Sequence, residues 1–144
     1  MADPFRAKGV SAVAALDALG FVFGTSIAHE LGVGLVLVRK GGKLPVDCES
    51  IPFVDYSGDA KTFEIVRGAI QKGDALLIVD EWSSTGAQLK ASASLIEQMG
   101  GRVIGAVCYS MNARVKADPL LKKYILHSLL VSESESESVP KVEG

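Results

Sequence analysis

Short apolar runs alternate along the chain with polar, glycine-bearing joints. Ala75–Val79 (ALLIV) is apolar without alternation, and Ser11–Leu16 (SAVAAL) and Leu35–Val38 are of the same buried type. A strand without a polar residue at every second place is covered on both faces, as in a parallel sheet between two layers of helices. Thr62–Val66, Arg102–Tyr109 and Tyr124–Leu130 read as further strands. Two helices interleave with them. Phe23, Ile27 and Leu31 recur at i, i+4 and i+8 in a segment ended by Gly32, and Leu89, Ala93, Ile96 and Met99 form a stripe stopped by Gly100-Gly101. The pattern predicts an α/β fold, a central mostly parallel sheet flanked by helices. Ala113–Lys123 is mixed and basic, helix or loop, with Pro119 against an uninterrupted helix.

Three segments fall outside the regular pattern. Met1–Gly9 is short and polar and is expected to fray. Val46–Lys61 has little periodicity, and a loop of that length in a compact domain is expected to be a mobile lid. Ser132–Ser138 alternates Ser and Glu without an apolar residue, so 132–144 is expected to be a solvated tail beside a folded domain of residues 1–131.

Composition narrows the class of function. The length of 144 residues suits one domain with its own core, and 48% apolar with 6% aromatic residues fits an α/β sandwich of small side chains. The formal charge of −2 provides no field for nucleic acid, so any cationic site is local. Cys48 and Cys108 lack partners at metal spacing and read as free thiols of a reducing compartment. No apolar run approaches the roughly 20 residues of a membrane span, and the N-terminus lacks a signal-peptide pattern. The expected location is cytoplasmic, with no membrane partner.

The chemistry concentrates in ALLIVDEWSSTGAQ, residues Ala75–Gln88. A buried strand ends in Asp80 and Glu81, followed by Ser83-Ser84-Thr85-Gly86 and a helix. Backbone N–H groups at a helix N-terminus favour an anion such as phosphate. The two acids cannot hold phosphate, but they accept hydrogen bonds from ribose hydroxyls or hold Mg²⁺ through its waters. The plainer account is a helix entry with Ser84 or Thr85 as N-cap. No Gly-Lys-Ser/Thr follows, so this is not a Walker A loop. A second cluster, Arg39-Lys40-Gly41-Gly42-Lys43-Leu44-Pro45, follows the strand Leu35–Val38. It is either a solvated loop or, at a strand's carboxyl end, an anion contact. His29 lies off its helix's apolar stripe and reads as a surface residue.

Val79-Asp80-Glu81 with Ser84-Thr85-Gly86 resembles the phosphoribosyl-pyrophosphate (PRPP) motif of type I phosphoribosyltransferases. Gly20–Gly24, the helix to Glu30-Leu31-Gly32, and the Arg39–Pro45 loop resemble the adenine phosphoribosyltransferase family within it, and the likeness runs from about Ala14 to Leu130. The resemblance implies transfer of a phosphoribosyl group from PRPP to adenine, giving AMP and pyrophosphate in purine salvage. It implies Mg²⁺ carried by PRPP with no direct protein metal ligand, and a homodimer. Carried onto this chain, Asp80 and Glu81 bind the ribose of PRPP. Ser83, Ser84, Thr85, Gly86, Ala87 and Gln88 bind the 5-phosphate, and Arg39, Lys40 and Lys43 the pyrophosphate. Val54-Asp55-Tyr56 resembles the family's lid, which makes Asp55 and Tyr56 the catalytic pair near the base.

The chain departs from the family pattern in several places. Leu19 stands where the family has an Arg, which implies weaker PRPP binding by about 1.5–3 kcal/mol if one charge-assisted hydrogen bond is lost. Ala87-Gln88 stands where Gly-Thr is usual, removing a hydroxyl and restricting any backbone that needs φ > 0. Trp82 is larger than the usual aliphatic residue. The family's N-terminal hood over the base is not expected within this chain, which points to truncation or to a partner that supplies the wall. The alternative function is therefore a catalytically impaired PRPP- or AMP-binding regulatory relative.

Overall fold

The computed structural model describes residues 1–133. Strands β1 (Ala12–Leu16), β2 (Gly34–Lys40), β3 (Cys48–Val54), β4 (Ala60–Val66), β5 (Ala75–Ser83), β6 (Arg102–Asn112) and β7 (Ile125–Ser132) form one sheet in the order β3-β4-β2-β1-β5-β6-β7. The β2-β1-β5-β6-β7 portion is parallel, while β4 runs antiparallel to β2 and β3 antiparallel to β4. Helices α1 (Gly20–Leu31), α2 (Ala87–Gln98) and α3 (Ala113–Ala117), with a 3-10 turn at Asp3–Phe5, make up the rest of the regular structure among the described residues.

The unbroken apolar run of β5 is explained by its two covered faces. Leu76 and Ile78 join Leu89, Leu95 and Ile96 of α2 in the larger core, with Phe63 and Ile65 of β4. Leu77 and Val79 join Ile27 and Ala28 of α1 in the smaller one. Successive strand residues point to opposite faces, so a strand between two helical layers must be apolar at every position. Helix α1 sits close to the sheet because of Gly24: a Cβ there would lie 2.5 Å from Ala15 Cβ.

Three expectations need correction. Val46–Lys61 is not a structureless lid, because Cys48–Val54 pairs along its whole length with β4, from Cys48↔Val66 to Val54↔Ala60. Its weak pattern has a physical cause. β3 is one of the two edge strands, where Pro52 is tolerated, and alternate residues along most of it are exposed, so that one face needs no apolar side chains. The N-terminus does not fray within the described residues: Asp3–Phe5 is a short 3-10 helix that buries Phe5. Phe5 packs in the smaller core, and Arg6 bonds to Asp3 and Glu30. Finally, Ser132 belongs to β7, opposite Asn112, rather than to a tail. The expected Ser/Glu tail otherwise lies outside the described residues, apart from the exposed Glu133.

Candidate active site

Strands β1 and β5 lie side by side, and the chain leaves them in opposite directions, to β2 through α1 and to β6 through α2. Such a switch opens a crevice at the strands' carboxyl ends. Gly20 begins α1 against that edge, where a Cβ would stand 2.8 Å from the Val79 carbonyl oxygen.

The two acids are strand residues rather than loop residues, since β5 runs on to Ser83 and Asp80 pairs with Cys108 of β6. Asp80 is 7% exposed. Its Oδ1 accepts the Glu81 N–H at 2.8 Å, while Oδ2 is buried without a hydrogen-bond partner. Burial, reinforced by the neighbouring Glu81 carboxylate and offset by the Glu81 N–H and Lys40, pushes its pKa up to about 7. An orphaned, buried carboxylate oxygen near the carboxyl end of β5 is costly to the fold, and it is an acceptor that the protein itself leaves unused. Glu81 beside it is half-buried.

Beyond β5, Ser83, Ser84, Thr85, Gly86, Ala87 and Gln88 wrap a small cradle that Tyr56 and Trp82 complete. The N-cap of α2 is Gly86, with φ 74°, rather than Ser84 or Thr85. Thr85 Oγ1 accepts the Ala87 N–H at 3.3 Å. Because Gly86 takes the left-handed conformation, Ala87 and Gln88 are ordinary first-turn residues of α2, and Ala87 imposes no strain. First-turn amides have no acceptor within their helix, which is the basis of anion binding there. The loop is held from below and behind. A Cβ at Gly86 would lie 2.9 Å from Leu121 Cδ1 and 3.4 Å from Val115 Cγ1, and Arg114 Nε donates to the Ser84 carbonyl at 2.7 Å. Arg114 and Leu121 were missed in the sequence because their role depends on α3 folding back under the loop. Only the Asn112 cap, whose Oδ1 accepts the Arg114 N–H, left a readable local signal.

The cationic loop is organised by a residue that sequence reasoning passed over. Asp17, just after β1, has a buried side chain whose Oδ2 lies 3.2 Å from Arg39 Nε and 3.8 Å from Lys43 Nζ, and accepts the Lys40 N–H at 3.3 Å. The Arg39 pair is a close ion pair without hydrogen-bond alignment at Nε. The guanidinium also lies over the Phe21 ring, 5.6 Å from its centre. Gly41 N–H donates to Thr62 O at 2.8 Å and Gly42 N–H to Glu64 Oε1 at 2.9 Å, with Gly42 at φ 76°.

The remaining predicted pair splits between two roles. Asp55 closes the β3–β4 turn: Oδ1 accepts from Ser57 N–H at 2.9 Å, Ser57 Oγ at 2.6 Å and Asp59 N–H at 3.1 Å. The Ser57 hydroxyl bond is the chief cause of its lowered pKa. Tyr56, 62% exposed, reaches from the same turn to the cradle and meets Trp82 edge-on, ring centres 5.4 Å apart. The hairpin tip therefore touches the carboxyl end of β5, where the cradle begins. Leu19 is 51% exposed immediately before α1. His29 is exposed on α1, and both cysteines are free.

Residues 5–134 match the phosphoribosyl transferase domain family. An adenine phosphoribosyltransferase of Clostridium perfringens is 39% identical over 131 residues, covering 90% of this chain and 75% of that protein. The chain belongs to the adenine phosphoribosyltransferase family. Solved members share its architecture. The enzyme of Thermoanaerobacter pseudethanolicus superposes with a TM-score of 0.83 at 34% identity, covering 91% of this chain and 76% of that one. That of Saccharomyces cerevisiae, solved with an imino-altritol bisphosphate and adenine, gives 0.78 at 31%, covering 89% and 72%. Membership in the adenine phosphoribosyltransferase family agrees with the mostly parallel seven-stranded sheet and its switch point between β1 and β5.

Proposed function

We propose that this protein is an adenine phosphoribosyltransferase, a pentosyltransferase of purine salvage that transfers the phosphoribosyl group of PRPP to adenine, giving AMP and pyrophosphate. The observation that carries the reading is convergence on one sheet edge. Parallel pairing of β2, β1 and β5 brings to one edge the buried, unpartnered carboxylate oxygen of Asp80, the cradle at Ser83–Gln88 that follows it, and the loop bearing Arg39, Lys40 and Lys43, whose Lys40 acts on Asp80 electrostatically. One molecule has the matching order of groups: a 5-phosphate, ribose hydroxyls and a diphosphate at carbon 1.

In this reading the first-turn amides of α2 and the hydroxyls of Ser84 and Thr85 anchor the 5-phosphate, so that binding far from the reacting carbon orients the ribose. Asp80 and Glu81 accept from the ribose hydroxyls. Arg39, Lys40 and Lys43 stabilise negative charge as it builds on the departing pyrophosphate. Tyr56 closes the side toward the hairpin and limits water at the cationic sugar carbon. Asp55 holds the turn that presents Tyr56, and that support is the role its hydrogen bonds favour.

The all-oxygen pair Asp80 and Glu81, with one oxygen free of partners, suits Mg²⁺ held through water. Bound with the diphosphate of PRPP, Mg²⁺ supplies charge neutralisation to the leaving group. The proposal includes a homodimer, supported by half-exposed Leu35 and Leu37 on β2 and exposed Val22 on α1. It also includes a cytoplasmic setting, supported by two free thiols.

Radiolabelled adenine incubated with PRPP, Mg²⁺ and the full chain tests the reaction. AMP is expected to accumulate only when PRPP is present. Absence of AMP, together with no calorimetric heat from PRPP or AMP, refutes the proposal.

A further inference from the structure

We infer that Asp17 is a positioning residue for the cationic loop, one that fixes Arg39 and Lys43 so that they offer donors to a diphosphate. The inference rests on the site reading above and assigns a role to a residue outside the predicted set.

The local electrostatics allow two opposite roles. A carboxylate beside three cations could act as their competitor, to be displaced by an arriving polyanion. It could also be the post that holds them. Burial decides between these. The Asp17 side chain is 6% exposed, while those of Arg39 and Lys43 are 30% and 50% exposed. If a ligand pulled both cations away, Asp17 would be left as a buried charge with only the Lys40 N–H, and an uncompensated buried charge is strongly unfavourable. The cations therefore stay and the ligand comes to them.

The geometry of Arg39 fits that role. Asp17 engages the Nε side, and neither Nη group has a protein hydrogen-bond acceptor among the described residues. A guanidinium fork matches phosphate oxygens, and holding it at one edge removes the rotamer freedom it would otherwise lose on binding. Phe21 supports the plane of the group from α1. The backbone of the loop is tied separately, at Gly41 to Thr62 and at Gly42 to Glu64, so Asp17 governs the side chains as well as the Lys40 amide.

The test is calorimetric titration of the full chain with two probes in the presence of Mg²⁺: inorganic pyrophosphate and ribose 5-phosphate. Asp17→Asn is expected to weaken pyrophosphate by about tenfold or more, the loss of a charge-assisted contact, and to leave ribose 5-phosphate within about twofold. A competitor role predicts the reverse sign, tighter pyrophosphate on removing a negative charge. Unchanged or tighter pyrophosphate binding overturns the inference. Equal weakening of both probes also overturns it, since that is general damage to the fold. Should Asp17→Asn not fold, Arg39→Lys keeps a cation beside Asp17 and removes the fork. It is expected to weaken pyrophosphate selectively, and unchanged affinity overturns the inference. If the unaltered chain binds neither probe, the site reading falls and takes this inference with it. Failure in the variants alone leaves that reading standing.

Discussion

Replacing Asp80 by Asn is expected to stabilise the protein in alkaline solution while impairing its site. The carboxyl has a pKa of about 7 in the fold against an ordinary 3.8. The folded chain therefore keeps a proton that the unfolded chain releases. Stability from this group is complete below the unfolded value and is lost as pH rises through the folded one. At about 1.4 kcal/mol per pKa unit, roughly 4 kcal/mol has been lost by about pH 8, of which some 2–3 kcal/mol disappears between about pH 5 and pH 8.

Asn is close in shape and can keep the acceptor for the Glu81 N–H, but its amide nitrogen inherits the position without a partner, a cost of about 1–3 kcal/mol. Asp80→Asn is thus expected to match or fall below the parent near pH 5 and to exceed it near pH 8. The difference between the two proteins should shift by roughly 2–3 kcal/mol across that range. Urea unfolding at the two pH values reads the difference directly. PRPP titrated into the same variant near pH 8 should bind more weakly, because the substituted side chain has lost the acceptor oxygen. A stability difference independent of pH refutes the reasoning about burial. Unweakened PRPP refutes the reasoning about the acceptor.

Three further outcomes follow from other parts of the structure. Gly24→Ala places a methyl 2.5 Å from Ala15 Cβ between α1 and β1, and should cost about 1–3 kcal/mol in thermal or urea unfolding; parent-like stability refutes the close approach. Gly86→Ala meets both a left-handed φ of 74° and Leu121 Cδ1 at 2.9 Å, so it should cost about 1–2 kcal/mol and weaken ribose 5-phosphate in calorimetry, whereas unchanged affinity argues against an anion cradle there. Trp82 is the sole tryptophan and touches both Tyr56 and the cradle, so AMP should shift its fluorescence. Tyr56→Ala should shift the emission of the free protein, through loss of a ring contact of about 0.5–1.5 kcal/mol, and a silent Trp82 in both experiments removes the hairpin from the site.

Local pattern alone determined a good deal about this protein. The non-alternating ALLIV run, the helix stripes at Phe23–Leu31 and Leu89–Met99, and the acids and hydroxyls after β5 specify a covered parallel sheet with a polar mouth. These signals depend only on neighbours within a few residues, and backbone geometry turns such spacing directly into a buried face. The β3 edge was hidden because a strand with one open face and a proline needs no strong pattern of its own. Phe5 was hidden because scattered apolar residues without a period say nothing about the surface they meet. The state of each site group was decided only in three dimensions. Arg39 and Lys43 are held by a carboxylate more than twenty residues earlier, and Ser84 is tied to an arginine thirty residues later. The raised pKa of Asp80 comes mainly from its burial between strands that the chain brings together from distant segments. Charge and dehydration depend on distance in space, and at those separations along the chain only the fold determines what lies nearby.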